Sequence, residues 1–165
     1  MKIKSKVIIG VAVVGSVIAG LAWATPIVNL ASPILATGNQ NADIETHGEF
    51  ATTGGEFKVF LKTEGPSSIL IQDGAYSEGG VNGWHSHPGM VAVTLLTGTI
   101  DWYDADCKMT AYKAGDSWTE GSQVHYFKVT GTTGIHLMAT FIIAQGSTPR
   151  IDQPAPECAA ALGLN

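Results

Sequence analysis

The sequence predicts an all-β fold: a single antiparallel β-barrel, poor in helix, behind an N-terminal export segment. Three observations predict it. Only 14 % of residues are charged, while glycine occurs 20 times, a balance that suits short strands and tight turns better than a helical bundle. Strand-length segments rich in β-branched and aromatic residues recur along the chain, each closed by Gly, Asp or Asn. The length, 165 residues, is that of one domain.

The elements follow in chain order. "MKIKSK" supplies three lysines, "VIIGVAVVGSVIAGLAWA" is apolar and uncharged, and "TP" comes next. This is the basic start, apolar centre and small-residue cleavage site of an export signal, with Ala22, Trp23 and Ala24 as the A-x-A site. An uncleaved membrane anchor is the alternative; the apolar run of 18 residues is at the lower edge of the roughly 20 that span a bilayer. Both place the domain outside the cytoplasm. Residues 1–24 are thus read as signal or anchor and 25–32 as a tether. Residues 33–146 are read as the barrel and 147–165 as a C-terminal tail.

Within the barrel, "PILATG" reads as a first edge strand. "EFKVFLKTEG", "SSILIQDGAYSEGG", "GMVAVTLLTGTIDWYDAD", "KMTAYKAGDSW", "QVHYFKVTG" and "GIHLMATFIIAQG" supply the rest, with "LLTGTIDWY" expected to form a hairpin turning at Gly98. Many short strands at regular spacing mean a sandwich or barrel. "PECAAALG" is the one candidate for a short helix. Two cysteines lie in the exported part, Cys107 and Cys158, and disulfides persist outside the cytoplasm. A Cys107–Cys158 bond would tie the tail back to the domain; two free thiols, or one that carries lipid or metal, are the alternatives. The net charge of −5 without a basic block excludes electrostatically driven nucleic-acid binding, which needs clustered Lys and Arg. Contact with a membrane is expected only through an uncleaved N-terminal segment.

The chemistry concentrates in "GWHSHPG". Residues i and i+2 of a strand share a face, so His85 and His87 project together, and imidazole is the commonest side-chain metal ligand. Pro88 and Gly89 end regular pairing just after them, as at a barrel rim. From Gly79 the chain reads G, five residues, His85, one residue, His87, three residues, Val91, six residues, Gly98. This resembles the first motif of the cupin superfamily, with valine where the family has glutamate. "GDSWTEGSQVHYFKV", from Gly115, resembles the second motif more loosely, with His125 one residue early. The likeness covers about residues 50 to 145.

The resemblance implies an antiparallel barrel of jelly-roll type. It also implies a divalent metal ion (Fe, Zn, Cu, Ni or Mn) held by His85, His87 and His125. Val91 cannot bind metal. Three neutral imidazoles leave the ion's charge uncompensated, an arrangement similar to the three-histidine sites of some cupin dioxygenases; a carboxylate at position 91 would restore the usual pattern and tighten binding. Val91, Val93 and Leu95 share the parity of the histidine pair, so the lumen is expected to be apolar, without a carboxylate for acid–base chemistry. An apolar lumen suits a small organic ligand and suits plain packing equally.

Other residues carry weaker expectations. His136 on its strand would be packed or solvent-facing rather than in the site, and His47 solvated. Tyr76, Trp84 and Trp118 are expected in the core, and Asp101, Asp104 and Asp106 in a solvated loop rather than a calcium site. Neither a G-x-S-x-G elbow nor a P-loop occurs. Three functions remain: a metal-binding barrel holding a small ligand, a three-histidine dioxygenase, and a metal-free binding or assembly module. A homodimer is compatible with each.

Overall fold

The computed structural model describes residues 31–164; the expected signal or anchor lies outside them. Two five-stranded antiparallel sheets pack face to face. The first runs β1 (Ile34–Gln40), β4 (Ser67–Tyr76), β11 (Ile135–Ala144), β6 (Gly89–Thr97), β9 (Ser117–Glu120). The second runs β12 (Ile151–Asp152), β5 (His85–Ser86), β10 (His125–Thr130), β7 (Thr99–Asp104), β8 (Met109–Lys113). The all-β antiparallel class is as expected, and "PILATG" is indeed an edge strand. The sheets face each other without hydrogen-bonded closure.

The alternation of β11 shows why this sequence makes a sandwich. Ile135, Leu137, Ala139, Phe141 and Ile143 are buried while the residues between them are not. They meet Val91, Val93 and Leu95 from β6 and Ile100, Phe127 and Val129 from the opposite sheet in one core. The predicted parity of the β6 valines therefore holds. Each such side chain, fully buried, contributes about 1.5–3 kcal/mol.

Two expectations are corrected. Gly98 does not turn a hairpin: β6 and β7 belong to different sheets, and the chain crosses between them there. Gly98 has φ 81, and an added Cβ would lie 2.6 Å from Ile135 Cγ2, so only glycine fits the crossing. "EFKVFLKTEG" also stays out of the sandwich. As β3 (Gly55–Lys62) it pairs only with β2 (Glu45–Thr52) in a separate two-stranded sheet, leaving Phe50, Phe57 and Phe60 exposed. Its apolar alternation is real, but among the described residues no second layer covers it. His47 stands exposed on β2, as expected, stacked on Phe60.

The C-terminal segment is built into the fold. β12 pairs with β5, and the expected helix, α1 (Glu157–Leu162), follows. Ala159 and Leu164 pack with Trp84 and Tyr126 in a second apolar cluster, and the Trp84 indole donates to the Leu164 carbonyl at 2.8 Å. Cys107 and Cys158 are bonded, with Cα atoms 6.1 Å apart. Cys107 ends a turn in which Asp104 Oδ1 accepts from the Asp106 and Lys108 amides; of the three aspartates expected in a solvated loop only Asp106 lies in it, while Asp101 and Asp104 are half-buried on β7. The bond closes a loop with a sequence separation of 51, which in the chain-entropy account stabilises by about 4 kcal/mol. The Cys107→Ser, Cys158→Ser double variant is expected to lose about 2–4 kcal/mol, seen as a lower urea midpoint. An unchanged midpoint would mean that the Trp84–Leu164 packing alone holds the segment.

Candidate metal centre

The site lies between the two sheets, where β5, β9 and β10 come together. Its placement starts at Gly83, whose φ of 68 is a left-handed turn that suits glycine. The turn delivers Trp84 to the outer cluster and His85 to the interior. In β10, His125 sits directly opposite His85 in register, and opposed residues share a face. Their rings are 4.3 Å apart. His87 follows just beyond β5, its amide donating to the Gly121 carbonyl at 2.9 Å, with its ring 4.8 Å from His85 and 5.0 Å from His125. All three histidines are at most 4 % exposed. The structure thus brings together the three residues the sequence singled out.

Each imidazole is oriented from behind. His85 Nδ1 lies 2.9 Å from the Gly83 carbonyl, His125 Nδ1 2.9 Å from the Gln123 carbonyl, and His87 Nδ1 2.6 Å from the Pro149 carbonyl. A carbonyl can only accept, so each Nδ1 carries the proton. In the neutral ring each Nε2 then keeps a bare lone pair. This is the outer support that metal-ligating histidines use.

The fourth member of the cluster is Glu120, which corrects the expectation of a purely apolar lumen and a carboxylate-free site. Its side chain is 6 % exposed. Oε2 lies 3.2 Å from His87 Nε2 and 3.3 Å from His125 Nε2. Oε1 accepts from the indoles of Trp118 at 2.8 Å and Trp102 at 3.1 Å. Two indole donors therefore hold one oxygen and turn the other toward the histidines. The reason Val91 misled the sequence reading is positional. Val91 and Glu120 are direct cross-strand partners of β6 and β9, so the carboxylate comes from the neighbouring strand and reaches the same point. One signal was available: Trp118 and Glu120 are two apart in "GDSWTEG", so an inward tryptophan implies an inward glutamate.

The electrostatics follow from burial and this pairing. Burial alone pushes the Glu120 carboxyl up, but the close polar contacts with His125 and His87, and the charge of His125 and His85, outweigh it and hold the carboxyl well below its usual range. Burial lowers His125, yet the Glu120 carboxylate more than offsets this and the net shift is upward. Burial drives His85 well below the ordinary imidazole value, and the His125 charge adds to that. In the metal-free protein, then, the cluster favours the protonated form of His125 beside the Glu120 carboxylate and the neutral form of His85.

The residues fit a metal ion. The four ligand atoms lie within 4.8 Å of one another, close to the ~3–4.4 Å that bonds of about 2.0–2.2 Å impose on ligands of one ion. His125 Nε2 is buried and makes no hydrogen bond among the described residues, despite its contact with Glu120. A buried imidazole nitrogen left without a hydrogen bond costs about 1–3 kcal/mol, a cost that coordination to an ion would remove. Three nitrogens and one carboxylate oxygen suit Zn, Fe, Mn, Ni or Cu. Among the cavities that adjoin the cluster, two lie beside His85 and His87. One of about 50 Å³ is lined by His85, His87, Glu120 and the apolar face of Val91 and Phe141. Another, of about 130 Å³, opens past His85 and His87 toward Tyr76 and Arg150.

The remaining candidates fall elsewhere. His136 is on the outer face of β11, bonded to the Asp73 carboxylate, as its bland reading had it. Trp84 and Trp118 are buried as expected, while Tyr76 is partly buried and lines both cavities.

This architecture has relatives among solved structures. Several of them are cupins. A cupin-like protein of Thermotoga maritima matches with a TM-score of 0.46 and 19 % identity over 53 % of this chain, which covers just under two thirds (65 %) of that protein. A predicted oxalate decarboxylase of the same organism matches at 0.40 and 23 %, over 49 % of this chain and 83 % of its own. An uncharacterized protein with a double-stranded β-helix domain from Klebsiella pneumoniae matches at 0.46 and 16 %, over 68 % and 85 %. No family model matches the sequence, and no curated protein does.

Proposed function

We propose that this chain is an exported metal-binding protein of cupin type that holds one divalent ion through His85, His87, His125 and Glu120, with a small organic ligand beside it. One observation carries the reading: three imidazole nitrogens freed by backbone carbonyls converge with an oriented carboxylate on one buried point. The disulfide is consistent with export. A bound ion would supply Lewis-acid or redox chemistry. The chain's own residues do the rest. Glu120 offsets part of the ion's charge, the indoles of Trp102 and Trp118 fix its orientation, and Phe141 and Val91 keep bulk water away. Because a carboxylate joins the donor set, the likeness to three-histidine dioxygenases loses its basis in the donors.

Stoichiometric binding of about one zinc or manganese ion per chain is expected in calorimetric titration. Affinity should fall on acidification, beginning above the ordinary imidazole pKa, because the Glu120 carboxylate raises His125 and makes it take up a competing proton before His85 does. His85 protonates well below that value and is not the competitor. Affinity that stays flat from about pH 8 to pH 5, whatever the ion, would sink the proposal, since imidazole must be neutral to coordinate.

A further inference from the structure

The cavity of about 130 Å³ beside His85 and His87 is lined by a cation that no part of the metal site uses. Arg150 stands in the stretch just before β12, directly after Pro149, whose carbonyl orients His87. Its Nε donates to Asp152 Oδ1 at 2.6 Å. Its Nη2 is buried and has no hydrogen-bond partner among the described residues. Arg150, Tyr76 and Gln72 line the cavity of about 130 Å³, together with His85 and His87. Around them, Gln72 Nε2 donates to the Ser32 carbonyl at 3.1 Å and the Tyr76 hydroxyl bonds to Ser32. These two groups are thus engaged, and Nη2 of Arg150 is the unsatisfied one.

We propose that this cavity binds a short-chain carboxylate, its carboxylate group held by Arg150 and its other end directed at the His/Glu cluster. The hydrogen-bond argument comes first. Asp152 pairs the Nε side of the guanidinium, but the buried Nη2 still lacks an acceptor, and charge-assisted hydrogen bonds to carboxylate are among the strong ones. An ion on the cluster, with charge beyond what Glu120 offsets, would add to the same positive field. Size comes next. At roughly 30 Å³ for a water-sized group, the cavity takes a ligand of about four to six heavy atoms. Finally, the Phe141 and Tyr76 rings wall it, which favours a carbon chain over a fully hydrated inorganic oxyanion. The far-end contact rests on the metal reading; the Arg150 contact does not.

The test separates the two. Propionate and its neutral isostere propionamide are titrated into chelator-treated and zinc-loaded protein, with amide-resolved NMR shifts as the readout. Propionate should bind both forms, with shifts at Arg150 and Tyr76, and propionamide at least about tenfold more weakly. Arg150→Gln should weaken propionate at least about tenfold, with Arg150→Lys between, since lysine keeps the charge and loses the planar fork. Zinc titration of the same proteins reports the metal site independently, so a failed metal reading appears there and a failed Arg150 reading appears in the propionate arm. Propionamide binding as well as propionate, or inorganic phosphate binding more tightly than propionate, would overturn the proposal in the wild-type protein, whether or not the variants fold. Equal propionate affinity in a folded Arg150→Gln variant would overturn it too.

Discussion

Glu120→Gln is expected to lower divalent-metal affinity by at least about 100-fold while leaving the protein folded. Glutamine keeps the shape of the side chain, and its amide oxygen can still accept from the Trp118 and Trp102 indoles that Oε1 now serves. What disappears is the negative charge, on the atom that lies 3.2 and 3.3 Å from two histidine nitrogens. Loss of a charged ligand to a dication in a buried site amounts to about 3 kcal/mol or more, and each 1.4 kcal/mol is tenfold. In the metal-free variant, His125 loses the partner that raises its pKa, and burial is left to lower it. NMR titration of His125 should therefore show a pKa below the wild-type value. Two tryptophans bonded to the carboxylate also supply an optical probe, since metal binding at Glu120 should perturb their emission in the wild type. Zinc affinity within about threefold of wild type in Glu120→Gln would remove Glu120 from the ligand set and return the site to three histidines.

The sequence made most of this architecture legible. Strand-length segments, the parity of His85 with His87, and the apolar run of Val91, Val93 and Leu95 are local patterns, and period-two alternation turns them directly into faces. His125 was also found, because motif spacing carries information that local pattern does not. What was not legible depended on pairing between distant strands. The crossover at Gly98 looks like a hairpin until β11 is known to lie beside β6. The exposed β2–β3 hairpin has the alternation of a sandwich strand, yet it pairs only within itself. Glu120 sits 29 positions after Val91 in the chain and becomes its neighbour only through the β6–β9 register. Arg150 lay in what reads as a tail, and it reaches the site because β12 adds to the edge of β5.

The same register fixes the outcome of Val91→Glu. The sequence alone suggests that a glutamate here would complete the metal site. The structure adds a stability cost in the metal-free protein. Val91 is 0 % exposed and faces Glu120 across the β6–β9 pair, with Phe141 opposite on β11. A second carboxylate would enter an apolar position beside an existing buried one, and two such charges in one site cannot both ionise cheaply. Replacing a packed valine by a longer side chain adds overpacking. The expected loss is about 3–5 kcal/mol of unfolding free energy, read as a lower urea midpoint at neutral pH. The Val91→Glu, Glu120→Val double variant moves the carboxylate across the strand pair without adding one. It should recover part of that loss, so the two changes are non-additive, as expected for residues in contact. Recovery should stay incomplete, because the Trp102 and Trp118 indoles lose their acceptor, and each unsatisfied buried donor costs about 1–3 kcal/mol. Zinc titration of the double variant then measures whether position 91 can serve as the carboxylate position. A Val91→Glu protein as stable as wild type, or strictly additive losses in the pair, would mean that the two side chains do not share one site.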